Sequence, residues 1–133
     1  MKRSLLFLPL TILFLVACQI SEEERISQVL NRREEALRKK ALSRYLSCIS
    51  KTYLDKGEDF DRLQNRIGGY FKTFDRIEYA SLGRSIQIEG DTARVIQEFH
   101  LEVEKGEEKD HYKGKEALSF KREGREWKIT GGL

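Results

Sequence analysis

The chain has 133 residues, of which 39% are hydrophobic and 35% charged, a balance that is typical of one folded domain and excludes a disordered tail. The first 17 residues hold two of the 25 basic side chains and none of the 22 acidic ones, so the remaining 116 residues have a net charge of only +1. No basic excess is left to neutralise a phosphate backbone, and we therefore expect no nucleic-acid partner.

The amino terminus has the parts of an export signal. Lys2 and Arg3 form a short positive region, and the 14 residues of 4–17 carry no charge. A spanning helix needs about 20 apolar residues, so this run is too short for a membrane span and fits the hydrophobic core of a signal peptide. The sequence predicts that residues 1–17 are removed.

The cleavage region resembles the bacterial lipobox, since residues 15–18 read Leu-Val-Ala-Cys. The resemblance implies cleavage before Cys18, a diacylglyceryl group on its thiol and palmitate-like acylation of its amino group. The mature protein would then be a lipoprotein of the bacterial cell envelope, held on the membrane by these chains. Gln19 stands where Asp would favour the inner membrane, so in a Gram-negative host we expect the outer membrane, facing the periplasm. The alternative is an ordinary secretory signal with an incidental cysteine.

Residues 18–21 would form a very short lipidated tether, and residues 22–133 the folded domain. Ser21 and Glu24 have the spacing of a capping box, which predicts the start of a helix. An apolar stripe of helical period then predicts about seven helical turns. Its members are Ile26, Val29, Leu30, Leu37, Ala41, Tyr45, Cys48 and Ile49. On this face Cys48 is expected to be a small core residue.

A second amphipathic helix is predicted over residues 59–74, after a turn at 56–58. It contains Gly68 and Gly69, which we interpret as a site of close packing or a break. From Ile77 the apolar period becomes two, and a change of parity at residues 82–84 predicts a bulge in one bent strand. Turns at 90–91, 105–109 and 123–124 complete about four main strands. The fold class is therefore α+β, with two helices on a strongly bent antiparallel sheet.

Two motifs carry a family resemblance. Residues 86–95 read I-x-I-x-G-D-x-A-x-V, and residues 124–129 read G-x-x-W-K-I. Together with residues 41–46 and 52–55, they resemble the nuclear transport factor 2-like superfamily, also described as ketosteroid-isomerase-like or SnoaL-like. The resemblance implies a cone-shaped, cystatin-like architecture, in which a bent sheet wraps around a helix and often leaves a pocket at its open end.

The candidate pocket residues are polar side chains that strand parity turns inward, with tyrosines from the helix end. They are Tyr45, Tyr53, Tyr79, Gln97, Tyr112 and Glu116. Parity places both histidines, His100 and His111, on the outer face, so we expect neither a metal site nor a cofactor.

Glu116 is the one acid predicted to point inward, and two interpretations remain open. It is either a general base whose pKa is raised by burial, or a carboxylate paired with an Arg or Lys. Because no catalytic dyad is evident, we expect no enzyme but a binding module for a small apolar ligand or an envelope protein. One alternative is an isomerase or dehydratase with Glu116 as base and Tyr79 or Tyr112 as donor. Another is a homodimeric assembly factor that pairs through Ile96 and Ala117.

Overall fold

Three helices and a small hairpin precede a four-stranded antiparallel sheet in the computed structural model, which describes residues 19–133. The predicted signal peptide and Cys18 lie outside the described residues. The elements in chain order are α1 (Glu22–Lys39), α2 (Leu42–Leu46), β1 (Leu54–Asp55), β2 (Glu58–Asp59), α3 (Phe60–Thr73), β3 (Arg76–Glu89), β4 (Thr92–Lys105), β5 (Glu108–Glu123) and β6 (Glu126–Gly131). The predicted α+β class is confirmed.

Helix α1 begins as predicted but ends earlier. The Ser21 hydroxyl accepts a hydrogen bond from the Glu24 N–H at 3.2 Å, which satisfies a free donor of the first turn. The predicted helix of about seven turns is wrong, because Lys40 adopts a left-handed backbone with φ of 50° and ends α1. The chain changes direction there, and the later residues of the stripe pack on the core from the short α2 and the loop after it.

Helix α3 agrees with its predicted bounds, with Asp59 as its N-cap and Phe74 as its C-cap. The glycine pair does not break it. A Cβ at Gly68 would lie 3.6 Å from Leu42 Cδ2, an ordinary contact, and a Cβ at Gly69 would meet nothing within 4 Å. The predicted break or close packing at these glycines is therefore not found.

The sheet has the strand order β3-β4-β5-β6, in which each strand pairs with the next one in sequence. The register of β3 against β4 shifts between Leu82 and Ser85, which confirms the bulge inferred from the parity change. Because of this shift, Ile77 and Ile86 face the same side of the sheet. Their cross-strand partners on β4 are Val103 and Val95, respectively. A bulge of this kind bends a sheet around its covering helix.

Helix α1 packs against β3 and β6 and covers the hydrophobic core. Cys48 is fully buried there, which confirms its prediction as a core residue. Trp127 is 2% exposed, and its indole N–H donates to Glu22 Oε2 at 2.6 Å. Of the helices in residues 19–133, none combines the length and the apolar character that a bilayer span requires.

Candidate functional site

A group of polar side chains lies between α1 and the concave face of the sheet, and we call Arg33, Tyr79, Gln97 and Glu116 the Arg33–Glu116 cluster. The Arg33 guanidinium donates to Glu116 Oε1 at 2.9 Å and to Oε2 at 3.2 Å. Gln97 Nε2 donates to Glu116 Oε1 at 2.8 Å, and the Tyr79 hydroxyl donates to the same oxygen. One carboxylate therefore accepts hydrogen bonds from three different elements.

The positions of these residues follow from local structure. Arg33 follows Ile26 and Leu30 on the buried face of α1, so its side chain points at the sheet. Gln97 and Glu116 are direct cross-strand partners in β4 and β5, and both belong to the inward-facing parity. The Arg33 and Glu116 side chains are only 7% and 12% exposed, which makes theirs a largely desolvated ion pair.

The charges of the cluster decide what it can do chemically. Burial alone would raise the pKa of Glu116, but the charge and hydrogen bonds of Arg33 outweigh burial and lower it. Burial raises the pKa of Tyr79, and its hydrogen bond to Glu116 raises it further. The carboxylate is therefore ionised and the phenol neutral at physiological pH. Glu116 is paired with an arginine, and its pKa moves opposite to the direction that a general base requires.

A second arginine ties the bulge of β3 to the cluster. Arg84 Nε donates to Gln97 Oε1 at 3.0 Å, and its Nη atoms donate to Asn31 Oδ1 at 3.2 Å and Ser81 Oγ at 3.1 Å. Among buried side-chain nitrogen and oxygen atoms of residues 19–133, only Arg33 Nε has no hydrogen-bond partner. A network satisfied to this degree holds its members in one arrangement.

The Tyr79 ring contacts Phe99 and Arg33. It stacks on Phe99 with a centroid distance of 5.7 Å and an interplanar angle of 11°, and the Arg33 Cζ atom lies 5.1 Å from its centroid. Phe99 in turn occupies the space above Gly114, where an added Cβ would come within 2.9 Å of the ring. Glycine at this position makes the stack possible.

Of the remaining predicted pocket residues, Tyr45 lies beside the cluster, and Tyr53 and Tyr112 lie elsewhere. Burial raises the pKa of the Tyr45 phenol, and the neighbouring Arg33 opposes that shift. Tyr45 is 2% exposed and packs edge-on against Phe71, with 6.4 Å between ring centroids. The Tyr53 hydroxyl bonds the backbone of Leu133, accepting from its N–H at 3.1 Å and donating to its carbonyl at 3.3 Å. Tyr112 has the predicted parity but is 52% exposed, because the first six residues of β5 are all exposed. The structure brings Tyr79, Gln97 and Glu116 together, and it places Tyr53 and Tyr112 outside their cluster.

Sequence reasoning missed both arginines. Arg33 falls in the apolar stripe of α1, and a charged residue in such a stripe is the signal that could have identified it. Arg84 lies within the predicted bulge, and no sequence signal indicated that its side chain would turn toward α1. Both histidines are exposed, as their parity predicted. Within residues 19–133, no group of three or more His, Cys, Asp or Glu side chains is placed to hold a metal ion.

The surface of residues 19–133 includes three open concavities. One of about 490 Å³ lies beside α2 and includes Leu46 and Lys128. Another, of about 630 Å³, lies along α3, and its lining includes Lys72. The third, of about 260 Å³, is lined by residues that include Arg38, Tyr79, Leu101 and Tyr112, and we call it the Tyr112 concavity. Glu116 lines none of these three, so its carboxylate is not presented to a ligand in them.

Solved structures match the chain in fold. A proposed scytalone dehydratase from Novosphingobium aromaticivorans has a TM-score of 0.76 at 11% identity, with 82% of this chain and 79% of that chain covered. A proposed dehydratase of the NTF2-like family from Streptomyces avermitilis has a TM-score of 0.71 at 12% identity, covering 83% of this chain and 92% of its own. An NTF2-like superfamily protein from Salmonella enterica serovar Typhimurium has a TM-score of 0.72 at 16% identity, covering 81% and 85%.

No protein-family model matches the chain, and no curated protein matches it either. At identities this low, the likeness to solved structures establishes the architecture alone. The chain has the nuclear transport factor 2-like fold, as its motifs predicted. Function must then be argued from the residues of the site.

Proposed function

We propose that this chain, which has the nuclear transport factor 2-like fold, is a bacterial envelope lipoprotein anchored through Cys18, and that its domain is a non-catalytic binding module. The observation that carries the non-catalytic part is the state of Glu116. Both of its carboxylate oxygens are bonded by Arg33, and its pKa is lowered. A base of this kind is too weakly basic and too firmly held to abstract a proton from a substrate.

The Tyr112 concavity is the binding site that we favour for a small apolar ligand or for a side chain of an envelope protein. Leu101 and Tyr112 supply apolar surface, with the buried Tyr79 beneath them. The lining also carries charges of both signs, which include Arg38, Glu78, Glu102 and Lys113. Its volume of about 260 Å³ is small, which suits one ring or a short aliphatic group. Tyr112 is half-exposed, so its ring is accessible to such a group.

The anchor has a direct test in the bacterial host. Cells are fed an alkyne-labelled palmitate, and the protein is captured and compared with Cys18→Ala. We expect label in the parent and none in the variant, together with loss of the variant from the membrane fraction. Cys48 is buried, so it offers no competing acylation site in the folded protein. Equal labelling of both proteins would refute the anchor.

The non-catalytic role has a test that needs no substrate. The carboxyl carbon of Glu116 is followed by NMR during a pH titration, with Glu116→Gln to assign the signal. The proposal expects a midpoint below the ordinary value of about 4.3 for glutamate. A midpoint near 6 or 7 would instead favour the isomerase or dehydratase alternative, with Glu116 as base and Tyr79 as donor.

Self-association is a second candidate, favoured by apolar side chains on the outer face of the sheet. Ile96 is 36% exposed and pairs across the strands with Ala117, and Leu82 on β3 is 45% exposed. Sedimentation of the domain without its lipid tests this alternative. A monomer at the highest concentration would exclude it, and a dimer that Ile96→Lys dissociates would support it.

A further inference from the structure

The start of α1 is fixed to one end of the cone. Glu22 accepts the Trp127 indole N–H at 2.6 Å and lies 3.8 Å from the Arg122 guanidinium. Arg122 also bonds Asp91, in the turn between β3 and β4, at 2.5 Å. This Trp127 end therefore carries the β3–β4 turn, the β5–β6 turn and the beginning of α1. The described chain enters the domain there.

The opposite end carries the Tyr112 concavity. Arg38, in the last turn of α1, lines the concavity with Tyr112. Lys40 bonds the Phe74 carbonyl at 3.0 Å, and the next residue, Asp75, accepts the Gly106 N–H in the β4–β5 turn at 2.7 Å. The 18 residues of α1 place this Tyr112 end about 27 Å from the Trp127 end. The two ends of the domain are thus separated by the full length of α1.

The tether is short compared with that separation. Only four residues lead from Cys18 to Glu22, and fully extended they span at most about 14 Å. A lipid on Cys18 would therefore keep the Trp127 end within about 14 Å of the headgroups. If the Tyr112 end faced the bilayer, the tether would have to reach across the length of α1, about 27 Å. The tether spans only about half of that distance.

Two exposed isoleucines lie at the Trp127 end. Ile20 in the tether is 43% exposed, and Ile88, two residues before the β3–β4 turn, is 36% exposed. Apolar side chains of this kind are stabilised at a membrane interface. Some of the charges around them are paired, since Arg122 joins Glu22 and Asp91, and Lys128 pairs with Glu126 at 3.1 Å. We expect attachment there to depend on the lipid and the isoleucines.

We propose that the domain stands on the membrane by its Trp127 end, so that the Tyr112 concavity opens into the aqueous phase. The proposal rests on the proposed lipid anchor. It also specifies the binding partner more closely: the concavity takes a water-borne molecule or protein, not a lipid drawn from the same bilayer. The surface that meets the headgroups comprises Ile20, Ile88 and the β3–β4 and β5–β6 turns.

The experiment compares two matched probes on the lipidated protein. Arg125 and Glu107 are both exposed and occupy the same position in two-residue hairpin turns, one at each end. Arg125→Cys and Glu107→Cys are labelled with one fluorophore and reconstituted in vesicles that carry a quencher on the lipid headgroup. The parent controls for Cys48. We expect severalfold stronger quenching at position 125 than at position 107. Equal or reversed quenching in bound protein would overturn the orientation.

Vesicle flotation separates failure of the orientation from failure of the anchor. Protein that does not float with the vesicles overturns the anchor, and the orientation falls with it. Protein that floats but shows no difference between the probes overturns the orientation alone. A further variant inserts twelve Gly and Ser residues after Gln19, a linker of about 20 Å average span. It should still float but lose much of the quenching at Arg125→Cys. Unchanged quenching would refute the role of the short tether.

Discussion

The ion pair between Arg33 and Glu116 leads to a quantitative prediction for stability. Their side chains are 7% and 12% exposed, so the pair belongs to the buried class and not to weak surface pairs. Removing one partner of a buried pair leaves an uncompensated charge and costs about 3–5 kcal/mol. We expect Glu116→Gln to lower the free energy of unfolding by about 3 kcal/mol, the lower end, because Gln97 and Tyr79 can still donate to the amide oxygen.

Urea denaturation at pH 7 measures this loss. The control is Glu98→Gln, an exposed acid on the neighbouring strand β4, which should change stability by less than about 0.5 kcal/mol. The double variant Arg33→Met with Glu116→Gln removes the uncompensated charge, keeps an acceptor for Gln97 and Tyr79, and should recover most of the loss. A Glu116→Gln protein within about 1 kcal/mol of the parent would show that solvent screens the pair, and the reasoning would be refuted.

The pH dependence gives the same prediction a second, independent check. Arg33 holds the pKa of Glu116 below its unfolded value of about 4.3, so the carboxylate stabilises the fold above that pH. This contribution is lost as the pH falls through the lower, folded pKa. The gap in stability between the parent and Glu116→Gln should therefore shrink on acidification below about pH 4.3. A gap of the same size at pH 3 and pH 7 would contradict the assignment.

Three further substitutions test local packing, two of them beside the cluster and one on α3. Gly114→Ala should cost about 1–3 kcal/mol in urea denaturation and weaken the near-ultraviolet circular dichroism of the Tyr79–Phe99 stack, because its Cβ would approach the Phe99 ring to 2.9 Å. Gly69→Ala should instead raise stability by about 0.5–1 kcal/mol, since its Cβ would meet nothing within 4 Å in a helix interior. Arg84→Met should cost about 1–3 kcal/mol, and amide hydrogen exchange should quicken first at the bulge of β3.

The strands could be predicted well because their side chains alternate strictly between two environments. A one-residue change in parity moves every later side chain to the other face, so the shift at residues 82–84 had to be a bulge. The same parity placed Gln97 and Glu116 on the concave face, where they are direct partners. Parity gives the face of the sheet, however, and not whether that face is covered. Tyr112 shows this limit, because it has the inward parity but lies where β5 is exposed.

The helices were harder to predict because the apolar stripe of helical period continues past the point where the chain changes direction. The residues after Lys40 pack on the same core as α1, so the stripe shows no interruption. The left-handed conformation that ends α1 is taken by a lysine, while sequence reasoning looks for glycine or asparagine there. Arg33 was missed for a related reason, since a stripe defined by apolar residues alone passes over a charged member. Its position became meaningful only with Glu116 opposite it.

Tyr79 connects the Arg33–Glu116 cluster with the Tyr112 concavity. Its hydroxyl donates to Glu116 inside the cone, and its ring also lines the Tyr112 concavity. Arg33 bonds the Glu116 carboxylate in the interior of the cone. Glu116 is therefore not part of the surface that a ligand in the concavity could contact. A ligand seated there would contact the Tyr79 ring, whose position depends on Phe99 and Arg33. If the concavity binds a ligand as proposed, loosening the ion pair should weaken that binding through the placement of one aromatic ring, without any loss of direct contact.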